Sequence, residues 1–260
     1  MRIVLFFLTI ISLLSGFDFA ENKFKDLDID SKINAYVISL SSEDMSEFIY
    51  KWKNEWPNLN IIKTDGLITK RRGLGLTIIQ SLNFESAYKE KSDHEYTCFL
   101  EDHAVPFKSK SFDNESFHQR FMDLVKVWPD DSPILFLGGH AIKTIESPNI
   151  KLKITQIRML AGTYGFVVRH KFLLELADLL KSDVYKDSSS YSPDVALSAY
   201  MSKLGSNNYI ATPLLIDHKA GSYSMTWREK RSKKMDWENI EDWWIIPGNV
   251  NRTRKYLWDS

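Results

Sequence analysis

The stretch YTCFLEDHAVPF, residues 96–107, places three ionisable side chains directly after an apolar run. Residues 96–100 have the composition of a buried strand, and Glu101, Asp102 and His103 follow without a break. Ionisable groups side by side are costly to bury unless a partner compensates them, and a metal ion or a phosphate is a natural partner. We therefore expect this strand to end at a ligand site.

Strand and helix patterns alternate on both sides of this stretch. Runs typical of strands cover residues 35–40, 60–63, 133–137 and 165–168, while apolar stripes at helical spacing cover residues 45–52, 77–90, 117–128 and 171–181. This alternation predicts an α/β fold with a mainly parallel central sheet and helices on both faces. Ligands of such sheets lie beyond the carboxyl ends of the strands, so Glu101, Asp102 and His103 should emerge into the ligand crevice.

Two local signals indicate where elements should begin or end. Ser41 and Ser42 can cap the helix that contains residues 45–52. Gly138 and Gly139 should end the strand at residues 133–137 on the ligand side, where they either line the crevice or form a turn.

Composition favours one globular domain without a nucleic-acid partner. A chain of 260 residues that is 43% hydrophobic can bury one sizeable core. Lys plus Arg and Asp plus Glu both number 34, so no net field attracts nucleic acid or an anionic membrane. Cys98 is the only cysteine, which excludes an intramolecular disulfide, and we expect it to be a buried strand residue.

The N-terminal residues 1–20 are largely apolar after an early Arg2, which predicts entry into the secretory pathway. They fit either a cleaved signal peptide or a short signal anchor of the kind that holds Golgi enzymes. We therefore expect the protein in the ER or Golgi lumen or outside the cell, with membrane attachment only through such an anchor.

Five short motifs occur in a fixed order along the chain. They are Val37-Ile38-Ser39-Leu40, Gly73-Leu74-Gly75, Leu100-Glu101-Asp102-His103-Ala104, Gly162-Thr163-Tyr164 and Ser192-Pro193-Asp194. This set resembles the GT-A glycosyltransferases, and among them glycosyltransferase family 25, the lipopolysaccharide biosynthesis and procollagen galactosyltransferase group. The chain departs from that family where His103 replaces the third acid of the core motif and where Ser41 replaces an Arg.

The resemblance implies a Rossmann-like GT-A domain over residues 32–226, with the Trp-rich residues 227–260 as a C-terminal extension that packs on it. It implies transfer of a hexose, such as galactose or glucose, from a nucleotide sugar, UDP-linked in our prediction, to a hydroxyl of a glycan or protein acceptor. A divalent metal, Mn²⁺ or Mg²⁺, would assist by neutralising charge on the departing diphosphate.

Roles for single residues follow from the same resemblance. Asp102 would contact the metal and the donor phosphates, Glu101 would lie near the donor ribose or sugar, and His103 would complete the metal motif. The remaining candidates are Ser39 and Leu40 near the nucleotide base, Gly138 and Gly139 in the donor crevice, Asp194 as general base and His218 as a late metal ligand.

Two other functions remain open at the level of sequence. Loss of the third acid at His103 fits a catalytically inactive secreted protein that keeps the fold and binds a carbohydrate or a partner. A metal-dependent phosphohydrolase would need further carboxylate or His ligands near Asp102. Asp194 also has an ordinary structural explanation, because an acid in the first turn after Pro193 interacts favourably with the helix dipole.

Overall fold

The computed structural model describes residues 32–39, 44–69, 73–90, 94–107, 115–144, 154–185, 193–203, 208–212 and 214–218. It describes the backbone alone for residues 140–144, 158, 159, 161, 163, 183–185, 195, 198, 202, 203 and 218. The predictions for residues 1–20, for Leu40 and for residues 227–260 lie outside the described residues. None of the described helices is both long enough and apolar enough to cross a lipid bilayer. In chain order the strands and helices are β1 (Ile33–Ser39), α1 (Ser46–Glu55), β2 (Leu59–Asp65), α2 (Leu74–Lys89), β3 (Tyr96–Glu101), β4 (Ala104–Pro106), α3 (Phe117–Val127), β5 (Ile134–Thr144), β6 (Ile154–Arg169), α4 (Leu173–Tyr185), α5 (Pro193–Lys203), β7 (Asn208–Ala211) and β8 (Ile216–His218).

Six strands form the central sheet in the order β2-β1-β3-β6-β5-β7. β1 pairs in parallel with β2 and β3, and β5 pairs in parallel with β7. Among these six strands β6 runs the other way, antiparallel to β3, β5 and β7. The predicted α/β fold with a mainly parallel central sheet is therefore confirmed.

Helices cover both faces of this sheet, as predicted. Side chains alternate along a strand, so Tyr96 and Phe99 of β3 point to opposite faces. Phe99 packs edge-to-face against Phe84 of α2 at 4.8 Å between ring centroids. Tyr96 packs against Phe121 of α3, which in turn contacts Trp56 at the end of α1. Apolar burial on two faces, rather than a disulfide, stabilises the domain.

One local prediction was wrong, and another, the cap formed by Ser41 and Ser42, stays a prediction. The strand predicted to end at Gly138 and Gly139 continues to Thr144, with irregular pairing at the glycines. The N-cap residue of α1 is Met45, and the carboxylate of the preceding Asp44 accepts the N–H of Ser46 at 2.9 Å and its hydroxyl at 3.0 Å. The N–H bond holds the pKa of Asp44 below its ordinary value, while Ser41 and Ser42 lie outside the described residues.

The reason for the two glycines is close approach rather than a turn. A Cβ atom on Gly138 would collide with the carbonyl of Ile216, and one on Gly139 would collide with the carbonyl of Gly162. Gly139 also has φ of 153°, which side chains disfavour. Both positions therefore need glycine so that β8 and β6 can approach β5 closely.

β8 belongs to a second, two-stranded sheet in which it pairs with β4. Leu215, directly before β8, donates its N–H to the Leu137 carbonyl of β5 at 2.9 Å and accepts the N–H of Phe107 at 2.8 Å. This part of the chain therefore connects the end of β4 to a central strand.

Candidate functional site

The register of the parallel strands aligns polar residues at one edge of the sheet. Ser39, the last residue of β1, pairs with Asp65, the last residue of β2, and its neighbour Ile38 pairs with Glu101 at the end of β3. Ser39 is buried and Asp65 is exposed. The carboxyl ends of three parallel strands thus bring a hydroxyl and two carboxylates to the edge where α/β sheets bind ligands.

The acidic turn, defined as Glu101, Asp102 and His103, connects β3 to β4. Its residues are partly exposed, and the side chains of Asp102 and His103 are 10% and 17% exposed. The turn is short because β3 is held between β1 and β6 while β4 begins at Ala104 and pairs with β8. The structure therefore places these three residues at the end of a central strand, as the sequence predicted.

The donor set of the acidic turn fits a divalent cation. His103 Nε2 lies 3.7 Å from Asp102 Oδ1, which is too long for a good hydrogen bond. Two ligands that each bind a metal at about 2.1 Å can lie up to about 4.2 Å apart, so one cation fits between these atoms. Carboxylate oxygen and imidazole nitrogen together suit manganese better than magnesium.

The pairing of β4 with β8 brings a further candidate to the same place. His218 is the partner of Ala104, the residue that follows the acidic turn, and Asp217 is the partner of Val105. The backbone of His218 therefore lies beside His103, although the two are far apart in sequence. Among the side chains that the structure describes, no three His, Cys, Asp or Glu form a metal-binding group.

Asp194 lies in the first turn of α5, as its sequence predicts, and its carboxylate has a defined partner. Asp194 Oδ2 accepts the N–H of Gly162, a β6 residue with φ of 71°. The Asp194 side chain is buried, at 7% exposure. Because Gly139 and Thr163 are register partners, the bond also lies beside the glycine pair of β5. The carboxylate therefore joins α5 to the sheet edge.

Gly138 lies one step further along the sheet, between strands rather than facing an open crevice. Gly138 pairs with Gly165, and Gly165 pairs with Leu100 of β3. A Cβ on Gly165 would meet the side chains of Ile216 and Leu100. The close contact with Ile216 therefore explains Gly138 structurally, and contact with a donor stays a prediction.

Two features escaped the sequence analysis. Asp65 was missed because the strand pattern at residues 60–63 was too short to locate the end of β2, which is the edge strand of the sheet. Ile216 was missed because a three-residue strand carries no readable periodicity. The expectation for Cys98 is matched, since it is fully buried and desolvation raises the pKa of its thiol to about 12.

No protein-family model matches the chain, and a search of curated proteins found no match either. Among solved structures, the chain is similar to a glycosyltransferase involved in the glycosylation of the major capsid of PBCV-1, with a TM-score of 0.49 and 10% identity over 76% of this chain and 96% of that chain. It is also similar to Drosophila β-1,4-galactosyltransferase 7, a mutant in complex with manganese, UDP-Gal and xylobiose, with a TM-score of 0.40 and 10% identity over 78% and 76%. A third similar structure is HddC from Yersinia pseudotuberculosis, with a TM-score of 0.28 and 8% identity over 64% and 63%. Since all three TM-scores lie below 0.5, function is argued from the site alone.

Proposed function

We propose that the chain is a GT-A-type glycosyltransferase that moves a hexose, galactose or glucose, from a UDP-linked sugar to a hydroxyl of a glycan or protein. The observation that carries this proposal is the position of the acidic turn at the carboxyl end of the central strand β3. Ser39 and Asp65 lie along the same edge, and the backbone of His218 lies beside the turn. A nucleotide diphosphate with a cation matches this combination of carboxylates, imidazole and hydroxyl.

Each group has a task that follows from its place. Asp102 and His103 would hold a divalent cation, with His218 as a further ligand, and the bound cation would neutralise charge on the departing diphosphate. Asp65 and Ser39 would orient the nucleoside part of the donor, since they are the last residues of β2 and β1. Glu101 would accept hydrogen bonds from the ribose or from the sugar being transferred.

The decisive experiment measures UDP binding by calorimetry with and without Mn²⁺. We expect wild-type protein to bind UDP more tightly with Mn²⁺, and Asp102→Asn to weaken that binding by about 10-fold or more. The reason is that interactions with a charged group contribute about 1.5–3 kcal/mol, and about 1.4 kcal/mol corresponds to a tenfold change in affinity.

A matched control removes one carboxylate charge elsewhere. Glu47→Gln replaces an exposed residue of α1 that pairs with Lys51 at 2.7 Å, so it should leave UDP binding unchanged. If wild-type protein binds neither UDP nor any UDP-sugar in the presence of Mn²⁺, the proposed transferase function is wrong.

A second candidate function is a catalytically inactive protein that uses this fold to bind a carbohydrate or a partner. The observation that favours it is the buried bond between Asp194 and Gly162, because a carboxylate engaged by the backbone is less suited to accept a proton from an acceptor. Glycan binding that is unaffected by Mn²⁺ and by Asp102→Asn would support this alternative.

A further inference from the structure

The segment that follows the acidic turn is held by side chains from the helices on one face. Trp52 of α1 donates its indole N–H to the Ala104 carbonyl at 3.0 Å, and Arg120 of α3 donates to the Phe107 carbonyl at 2.6 Å. Both bonds join residues distant in sequence. We propose that Trp52 is a positioning residue that sets the geometry of the acidic turn through the Ala104 carbonyl.

The indole of Trp52 is itself held in one orientation. Its side chain is fully buried, and its ring packs edge-to-face against Phe117 at 5.2 Å with an interplanar angle of 83°. Phe48 packs on another side at 6.0 Å between centroids. A ring packed in this way cannot rotate without opening the core, so the N–H presents a fixed donor to Ala104.

Ala104 is the point through which this donor acts on the site. It is the first residue after His103, and it is buried at 1% exposure. The other end of the turn is Glu101, which belongs to β3 and pairs with Ile38 of the central sheet. With one end held by the sheet, the position of Ala104 determines how far apart the Asp102 and His103 side chains lie.

Loss of the indole N–H has a predictable consequence. The Ala104 carbonyl would lose a buried donor, and a buried polar group left without a partner costs about 1–3 kcal/mol. The backbone can reduce this cost by shifting β4 toward other donors or water. Each shifted state changes the distance between the Asp102 and His103 side chains. The apparent affinity for a cation-bound ligand then falls in proportion to the fraction of molecules that keep the binding geometry.

The chain contains a matched control for this substitution. Trp56 lies just beyond α1, is also fully buried and packs against Phe117 at 5.3 Å. Its indole nitrogen has no hydrogen-bond partner among the residues that the structure describes. Trp52→Phe and Trp56→Phe therefore remove the same atoms from two neighbouring core positions, but the first breaks a hydrogen bond to the site and the second breaks none.

The test compares both variants by calorimetry with UDP and Mn²⁺, at a temperature well below either unfolding transition. We expect Trp52→Phe to raise the dissociation constant by about 5- to 10-fold, the size of one hydrogen bond of about 1 kcal/mol or slightly more, and Trp56→Phe to leave it within about twofold of wild type. A purely structural role for Trp52 predicts equal dissociation constants in the two variants, whatever their thermal stabilities, and that result would overturn the proposal.

This inference rests on the proposed function only for the binding measurement. Hydrogen exchange of the backbone amides of Ala104, Val105 and Phe107 provides a readout that needs no ligand. Faster exchange there in Trp52→Phe than in Trp56→Phe supports the positioning bond even if wild-type protein fails to bind UDP, in which case the transferase proposal alone is lost. Equal exchange rates in the two variants refute the positioning role.

Discussion

At the scale of single residues, Asp194 has a structural role that does not depend on catalysis. Its carboxylate accepts a backbone N–H from Gly162, which has the left-handed backbone that glycine adopts most readily. The bond connects the first turn of α5 to the part of β6 that lies beside Gly139. Removing the carboxylate therefore affects the shape of the sheet edge as well as any reaction there.

Replacing Asp194 should separate the structural bond from the negative charge. We expect Asp194→Ala to lower the free energy of unfolding by about 1–3 kcal/mol, because the partly buried Gly162 N–H loses its acceptor. Asp194→Asn should cost less, since its amide oxygen can accept the same N–H. Urea unfolding of the two variants measures the difference, and equal losses would contradict the assigned bond.

The same pair of variants tests the prediction that Asp194 is a general base. A general base typically contributes about 10²–10⁴-fold to a rate, so Asp194→Asn would lower kcat by that amount while the fold persists. A kcat close to wild type would restrict Asp194 to its bond with Gly162.

Prediction of single residues succeeded where ionisable side chains directly follow an apolar run. Glu101, Asp102 and His103 were placed at a strand end because residues 96–100 leave no other reading. Asp65 could not be found in this way, because β2 lies at the edge of the sheet and Ile61 and Ile62, the apolar residues in its middle, are only half-buried. Edge strands carry weaker sequence patterns than strands that are buried on both faces.

At the scale of elements, the close packing of β8 against the central strands shapes the site. Ile216 lies against Gly138 of β5 and against Gly165 of β6, and Leu100 of β3 borders the same space. The two glycines differ in what a methyl group would meet. At Gly138 the obstacle is the backbone of Ile216, whereas at Gly165 the obstacles are the ends of flexible side chains.

This difference predicts unequal costs for the same substitution. Gly138→Ala should lower the free energy of unfolding by about 3 kcal/mol, and Gly165→Ala by about 1 kcal/mol, because side-chain ends can shift and a paired backbone cannot. Adding Ile216→Val removes the Cδ1 atom that a methyl group at Gly165 would meet, so it should recover part of the loss there. If Ile216→Val recovers as much stability in the Gly138→Ala background, the packing of β8 against β5 is less rigid than the structure indicates.

Element-level prediction was accurate for type and weaker for direction and length. Helix α3 was read from an apolar stripe and matches within a residue or two. The direction of β6 is set by its partners β3 and β5, which local sequence does not encode. The prediction ended β5 too early because adjacent glycines usually interrupt a strand. Here the two glycines instead allow neighbouring strands of the same domain to approach β5 closely.

At the scale of the whole molecule, two half-buried histidines couple folding to pH. Burial lowers the pKa of His118 in α3, and the neighbouring His94 lowers it further. Burial likewise lowers the pKa of His170, which shares a 2.7 Å hydrogen bond with Thr97 of β3. As pH falls below the ordinary histidine pKa of 6.5, the unfolded chain takes up protons first. This contribution to stability is therefore complete above about pH 6.5 and is lost as pH falls through the lowered pKa values.

Replacing one histidine should reduce this sensitivity. His118→Phe keeps a ring against Trp56 and removes a titrating group, so the fall in Tm between about pH 7.5 and about pH 5.5 should be smaller than in wild type. Met122→Leu, an uncharged substitution on the same helix, provides the control and should leave the pH dependence unchanged. An unaltered pH dependence in His118→Phe would place the acid sensitivity elsewhere.

The pairing of β4 with β8 also has a consequence for the order of folding. Ala104 and His218 come from distant parts of the chain, and closing so long a loop costs entropy that nearer pairings do not pay. Contacts of this kind form late, after local helices and adjacent strands have assembled. We therefore expect partly folded chains that have not made this pairing to lack the strand beside the acidic turn.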